Sequence, residues 1–256
     1  MQPKISIHVD GYWGLTKGVP RLLNLFDKYN VKTIFYVNMG REASIFRILR
    51  YYFNQIFSKN KKESDLKNTV KRYTKIQMIK TLLLRRKIGC GNPKILNEIE
   101  KRGHSVEPHC WSHLEWSRDF EKMDYKKEIE KMKKSFLKCL MREPKSFAPP
   151  MWKIDDRTLK ELSEQGFETV CILQKDVPNI HAPNGMKLDV LTFEKTVEEL
   201  LNEGKSEKEI LEIYEKEKKR KNAHLYFHAD YEGTRGIEIF EKILKIILVK
   251  NSNTLI

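Results

Sequence analysis

Cysteine is scarce: Cys90, Cys110, Cys139 and Cys171 lie far apart in 256 positions, with no Cys-x-x-Cys pair. That scatter excludes a disulfide scaffold and a cysteine-rich zinc module, and it fits reduced thiols in a cytosolic chain. Long apolar runs are missing as well, since no stretch reaches the ~18–20 residues that span a bilayer. The opening MQPKISIHVDG lacks the basic-then-apolar order of a secretion signal, so secretion is not expected. No glycine-rich loop follows the first predicted strand, which argues against a dinucleotide-binding sheet. Internal repeats and low-complexity linkers are also absent, and a single domain over residues 1–256 is expected.

Acids are outnumbered. Lys and Arg total 49 against 35 Asp and Glu, a net +14. Residues 41–90 hold fourteen basic and three acidic side chains, so +11 of that excess lies in fifty residues. A local field of this strength implies a polyanionic partner: nucleic acid, an anionic membrane or a phosphorylated substrate. Within the segment Ile45, Phe46, Ile48, Leu49, Tyr52, Phe53 and Phe57 interleave with Arg41, Arg47 and Arg50. The pattern reads either as an interfacial amphipathic helix on anionic lipid or as a solvated helical insertion packed on the scaffold. Zinc-finger, RNA-recognition and helix-turn-helix signatures are missing, so specific nucleic-acid binding is not expected.

The rest alternates between strands and helices. Period-two, β-branched stretches predict strands at Lys4–Val9, Val31–Val37, His104–Glu107, Ser146–Ala148, Phe167–Leu173, Lys187–Leu191 and Ala223–His228. Helical spacing predicts helices at Gly18–Asn30, Pro93–Arg102, Asp124–Leu140, Asp155–Gln165, Ser206–Lys221 and Gly236–Val249, with two or three more in 41–90 broken around Ser58–Ser64. Such alternation argues a parallel α/β fold, and a barrel suits it better than an open sheet. The 41–90 segment then reads as a basic amphipathic helical insertion.

Barrels place their working groups at the C-terminal ends of strands. The polar residues at those ends are His8 and Asp10, His109 and His113, the Pro149–Trp152 stretch, and His228 with Asp230. His109-Cys-Trp-Ser-His113 sets two imidazoles four apart, which on one helical turn point the same way. Two histidines and a carboxylate such as Asp10 make a common divalent-metal set. Trp13, Trp111, Trp116 and Trp152 all cluster near these ends, either as core filling or as the floor of a sugar or lipid-head-group pocket. Asp230 and Glu232 either orient His228 or cap the following helix. Asp155 reads as a helix cap, and His104, His181 and His224 as structural or exposed.

The ordered motifs IHVDGYWG, PHCWSH, FAPPMW and LYFHAD resemble those of polysaccharide deacetylases, metal-dependent carbohydrate esterases with a distorted (β/α)7 barrel. GVPRLLNLF, FYVNMGRE, HCWSH, the Trp-x-x-Asp of Trp152–Asp155 and FHADYEG are more similar still to deformylases of undecaprenyl-phosphate-linked 4-deoxy-4-formamido-arabinose. The resemblance covers about residues 4–248. It implies a divalent ion, zinc first, with nickel, cobalt or manganese able to use the same ligands, held by Asp10, His109 and His113. It further implies His228 as general acid for the leaving amine, a nearby backbone N–H of Met151 or Trp152 for the oxyanion, and substrate contacts at Trp13, Trp111, Pro150, Met151 and Trp152. His8 stands where the family has an Asp taken as general base, and Ala148 where it has an Arg. His8 is therefore a base, a fourth ligand or an inert imidazole.

The function expected is removal of an N-formyl or N-acetyl group from an amino sugar, lipid-linked or polysaccharide. The alternatives are a catalytically impaired glycan or lipid binder of the same fold, and a basic nucleic-acid-binding protein. The expected location is cytoplasmic, peripheral on the inner face of the plasma membrane through residues 41–90.

Overall fold

The computed structural model describes residues 2–44, 46, 47, 80, 81 and 83–249. Its centre is β1 (Lys4–Val9), flanked by β2 (Ile34–Asn38) and β7 (His224–His228), with β3 (Ser105–Cys110) beyond β2. A second sheet runs β4 (Ser146–Phe147), β5 (Thr169–Leu173) and β6 (Lys187–Leu191), and every pairing in both sheets is parallel. Outside the 41–90 segment the helices in chain order are α1 (Val19–Tyr29), α2 (Pro93–Lys101), α3 (His113–Arg118), α4 (Tyr125–Leu140), α5 (Asp156–Glu164), α6 (Val197–Asn202), α7 (Glu207–Glu217) and α8 (Ile237–Leu248).

Strand alternation divides the interior in two. Ile5, Ile7, Val9, Phe35, Val37, Val106 and Phe227 point outward and are buried in one large apolar cluster that includes the helix faces. Tyr36, Ala148, Cys171, Leu173, Leu191 and Tyr226 point the other way and form a smaller cluster inside the strands. Buried on both faces, the strands read as nearly continuous hydrophobic runs, as parallel strands do.

The two sheets meet along two seams where side chains stand in for ladder hydrogen bonds. At the β3–β4 seam the Glu107 carboxylate accepts the backbone N–H groups of Lys145 (2.8 Å) and Ser146 (3.0 Å), and Arg142 pairs with its other oxygen at 3.2 Å. Across the interior, the Tyr36 and Ser146 hydroxyls hydrogen-bond at 2.8 Å. At the β6–β7 seam the His224 N–H donates to Thr192 Oγ1 (2.9 Å), and the Thr192 N–H donates to the His224 carbonyl (3.2 Å). Asp189 lies 3.3 Å from His224 Nδ1 and also forms an ion pair with Lys4. Stitched in this way, the seven parallel strands among the described residues form a distorted barrel whose two sheets share no continuous ladder, in keeping with the fold that the resemblance implied.

Helix α1 begins later than its spacing predicts, because Gly14–Gly18 forms a π-helical turn ahead of it. Strand β2 also starts late: Asn30 ends α1 in a left-handed conformation (φ 50°), and Thr33 Oγ1 donates to the Ile5 carbonyl before pairing begins. Ser206 and Glu209 form the expected capping box, and a second one at Asp155 and Thr158 opens α5. The basic segment leaves and rejoins the barrel at one place. Arg41 and Lys87 form an antiparallel bridge, the Glu42 N–H donates to the Arg86 carbonyl (3.0 Å), and the Ile88 N–H donates to that of Gly40 (2.8 Å). The helices expected within it, their break at Ser58–Ser64, and Ile45, Ile48, Leu49, Tyr52, Phe53 and Phe57 lie outside the described residues.

Removing the Glu107 carboxylate leaves two backbone donors unpaired at a buried seam. Glu107→Ala should lower unfolding free energy by about 2–4 kcal/mol in urea titration, and Glu107→Gln, which keeps an acceptor, by less. The second seam carries a pH signature. Burial alone would raise the Asp189 carboxyl, but hydrogen bonding and charge from His224, and then Lys4, outweigh it and hold it at about 2. Its stabilisation is complete above the ordinary carboxylate range and is lost as pH falls through about 2. Acid unfolding followed by circular dichroism should therefore steepen between about pH 4 and pH 2 in the wild type and flatten in Asp189→Asn.

Candidate metal and catalytic site

Asp10 is the first residue past β1, and its main chain is fixed from three directions. The Asp230 carboxylate accepts the N–H groups of Asp10 (3.2 Å), Gly11 (3.3 Å) and Gly14 (3.1 Å). Any side chain at Gly14 would strike that carboxylate, since a Cβ there would sit 2.3 Å from Oδ2. Asn38 Nδ2 donates to the Asp10 carbonyl at 3.1 Å. Asp230 thus shapes the turn that presents Asp10.

Around the Asp10 carboxylate stand three imidazoles from three segments. Oδ1 lies 3.4 Å from His109 Nε2 and 3.7 Å from His113 Nε2, and Oδ2 lies 3.6 Å from His228 Nε2. The ligand atoms of Asp10, His109 and His113 all fall within 4.8 Å of one another. His109 and His113 do not share a helical turn, contrary to the reading of their spacing. His109 is still in β3, which pairs with β2 as far as Cys110, while His113 opens α3 behind the N-cap Ser112. The two rings converge because the chain reverses direction through Trp111 and Ser112.

His109 Nδ1 sits 2.6 Å from the Ala148 carbonyl, so that nitrogen carries the proton and Nε2 faces Asp10 with its lone pair. Burial pushes this imidazole down to about 4 against the raising charge of Asp10, which keeps it neutral and able to ligate. The His113 loop is anchored by Glu128, which accepts the Ser112 N–H at 3.0 Å. Burial and the neighbouring Glu115 push Glu128 up to about 7.

His8 lies inside the barrel, 2% exposed, one inward position before Asp10. Its ring centre is 4.7 Å from His109, 5.1 Å from Trp152, 5.3 Å from Tyr226 and 5.8 Å from His228. Its Nε2 is buried with no hydrogen-bond partner among the described residues. Burial first, and then the charges of His109 and His228, hold the imidazole well below its usual range, so it is neutral near pH 7. His8 is not a member of the converging donor group. Glu232 fixes the His228 backbone, accepting its N–H at 2.8 Å and those of Val197 (3.0 Å) and Glu198 (3.4 Å) at the start of α6.

Pro149–Trp152 closes one side. Met151 (φ 52°) and Trp152 (φ 57°) both adopt the left-handed conformation, a strained arrangement of the kind held at functional sites. The Trp152 N–H donates to the Pro149 carbonyl at 3.1 Å. Trp152 also lines a cleft of ≈ 530 Å³ with Phe120, Asp155, Asn179 and Ile180. Asp155 is a helix cap, as expected. The tryptophans separate by role: Trp116 is fully buried against Phe147 and belongs to the core, while Trp13 and Trp111 are half-buried. Arg86 stacks over Tyr12 and Trp13, with its guanidinium 4.5 and 5.2 Å from the ring centres. His104 packs between Phe26 and Phe35, and exposed His181 pairs with Asp156.

Sequence reading missed Tyr226, Asn38 and Glu128. Tyr226 was within reach, since it precedes His228 by two residues on the same face of a strand, whereas Glu128 sits on a distant helix with no local signal.

The Polysaccharide deacetylase family profile matches residues 2–170. The chain is 24% identical over 263 positions to a probable 4-deoxy-4-formamido-L-arabinose-phosphoundecaprenol deformylase ArnD of Shewanella sediminis, covering 97% of this chain and 81% of that one. Among solved structures it is similar to a putative polysaccharide deacetylase from Mycobacterium smegmatis, with TM-score 0.59 and 15% identity over 98% of this chain and 85% of the other. It is also similar to a mutant, with restored enzymatic activity, of a carbohydrate esterase family 4 pseudoenzyme from Bacillus anthracis, with TM-score 0.54 and 12% identity. That match covers 96% of this chain and 62% of the pseudoenzyme, so this chain spans less than two thirds of its length. The matched segment carries Asp10, His109 and His113, and the same barrel brings His228 to them. The chain therefore belongs to the polysaccharide deacetylase family, hydrolases that act on amide bonds.

Proposed function

We propose that this chain hydrolyses the N-formyl or N-acetyl amide of an amino sugar carried on a polyprenyl phosphate, with the help of one divalent ion, zinc foremost. The observation that carries the reading is the Asp10 carboxylate enclosed by Nε2 of His109, His113 and His228. Asp10, His109 and His113 suit a divalent ion: a carboxylate and two imidazoles converge, and the His109 tautomer is fixed by the Ala148 carbonyl. When bound, such an ion supplies Lewis-acid polarisation of the carbonyl and lowers the pKa of water.

The chain's own groups do the rest. His8, neutral and with an unpaired Nε2, takes the proton from the attacking water. His228, beside Oδ2 of Asp10 while His109 and His113 face Oδ1, delivers a proton to the departing nitrogen. The Met151 N–H stabilises the developing oxyanion. Trp152 and the cleft beside it seat the sugar ring, and Trp13, Trp111, Pro150 and Met151 are the further substrate contacts that the family resemblance implies. His8 in place of the family's Asp, together with Ala148 in place of its Arg, also supports a second reading, a glycan binder without turnover.

Delivery to a membrane-held substrate rests on the ends of the basic segment. Phe46, Leu83 and Leu84 are 80%, 69% and 55% exposed beside Arg41, Arg85 and Arg86. Arg86 in turn stacks on Tyr12 and Trp13, next to Asp10. Among the described residues no helix is long and apolar enough to cross a membrane, so peripheral attachment on the cytoplasmic face is the form that this reading takes.

Formate or acetate release from lipid-linked amino sugars, read together with elemental analysis, tests the chemistry. Asp10→Asn and His109→Ala should lose both metal and turnover. His228→Ala should keep the metal and lose about 10²–10⁴-fold in kcat. His8→Ala should keep the metal and lose turnover, while His8→Asp retains it; if the wild type binds metal and glycan yet releases nothing, the second reading is correct. For membrane attachment, the chain should sediment with phosphatidylglycerol vesicles at low salt and release as salt screens the charges. Replacing Phe46, Leu83 and Leu84 by Ser should weaken that binding even at low salt, and unchanged binding would remove this part of the proposal.

A further inference from the structure

Another cluster of metal-ligating side chains lies inside the barrel, away from Asp10. Cys171 on β5, Asp189 on β6 and His224 on β7 bring their ligand atoms within 4.8 Å of one another. Cys171 and Asp189 are register partners across the β5–β6 ladder, and His224 faces Asp189 over the seam. His224 precedes His228 by four residues on β7, which at about 3.3 Å per residue sets the two groups roughly 13 Å apart along the strand.

Several details make this a built site. Cys171 is fully buried and His224 is 2% exposed. His224 Nδ1 faces Asp189 Oδ1 at 3.3 Å and, among the described residues, has no partner beyond the cluster. The other ring nitrogen, Nε2, is 3.1 Å from Ser6 Oγ, a partner that sets the ring orientation and leaves Nδ1 aimed at the cluster. The second Asp189 oxygen is held by Lys4, so the carboxylate is oriented with Oδ1 inward. Asp189 retains 16% exposure, which gives an ion a way in from that end of the barrel. The donors are a thiol sulfur, a carboxylate oxygen and an imidazole nitrogen, a mixed set suited to zinc. Donors bound to zinc at about 2.0–2.3 Å stand roughly 3.4–3.8 Å apart, so closing this triad needs movement on the order of 1 Å.

We propose that Cys171, Asp189 and His224 form a second divalent-metal site, of zinc type, which clamps β5, β6 and β7 at the seam where the backbone ladder is incomplete. Binding exchanges the Cys171 thiol proton for the ion: the S–H bond breaks, a metal–sulfur bond forms, and one proton is released to solvent. Neither the hydrolytic chemistry nor its residues enter this inference.

Cobalt(II) titration of the metal-free full chain tests it, because cobalt bound to a thiolate shows a near-ultraviolet charge-transfer band that oxygen and nitrogen ligands do not give. Two equivalents should bind, one of them with that band. Cys171→Ser should lose the band and one equivalent, and Asp10→Asn should lose one equivalent and keep the band. The outcome is independent of turnover, so failure of the amide-hydrolase reading would leave it unchanged. Absence of the band at saturating cobalt, or its persistence in Cys171→Ser, overturns the proposal. Should Cys171→Ser not fold, X-ray absorption of the zinc-loaded wild type decides: a zinc–sulfur scattering path supports the site, and its absence at two equivalents of zinc removes it.

Discussion

Buried carboxylates that accept main-chain N–H groups hold the working end of this barrel together. Asp230 takes three such groups from the turn that carries Asp10, and Glu232 takes those of His228 and the start of α6. Glu128 takes that of Ser112 ahead of His113, and Glu107 takes those of Lys145 and Ser146 on the approach to Pro149–Trp152. Hydrogen bonds from backbone to a carboxylate are charge-assisted and stronger than neutral ones. In a chain with fourteen more bases than acids, these acids are placed where loops would otherwise leave buried donors unpaired. Remove that device and the three imidazoles have no reason to face one carboxylate.

The His8 and Ala148 pair makes sense in the same electrostatic terms. A carboxylate at position 8 would stand one inward position from Asp10, and in a poorly solvated interior two like charges at that distance need a cation beside them. An imidazole kept neutral by burial needs none, and Ala148 accordingly supplies none. What Ala148 does provide is its carbonyl, which fixes the His109 tautomer and does not depend on the side chain.

Much of the fold was legible because parallel strands and amphipathic helices leave regular periods, and Asp10, His109, His113 and His228 were legible because strand ends are where a barrel shows its chemistry. The misses have physical causes. Helices α3 and α6 are six residues each, under two turns, so no period can register. The seams escaped notice because Glu107 and Asp189 look like surface charges on strands until the second sheet arrives beside them. Trp116 and Trp152 both lie within three residues of a strand-end motif. Only the packing of Trp116 against Phe147, and of Trp152 beside His8, tells core from site.

The Arg41–Lys87 bridge has an implication for how such a chain diversifies. A segment that departs and returns at neighbouring points is closed by its stem, and the entropic cost of closure grows only with the logarithm of its length. Residues between those points can lengthen, shorten or be exchanged wholesale while the strands on either side keep their register. The length and composition of this segment are therefore separable here from the geometry of the strands that carry Asp10 and His109.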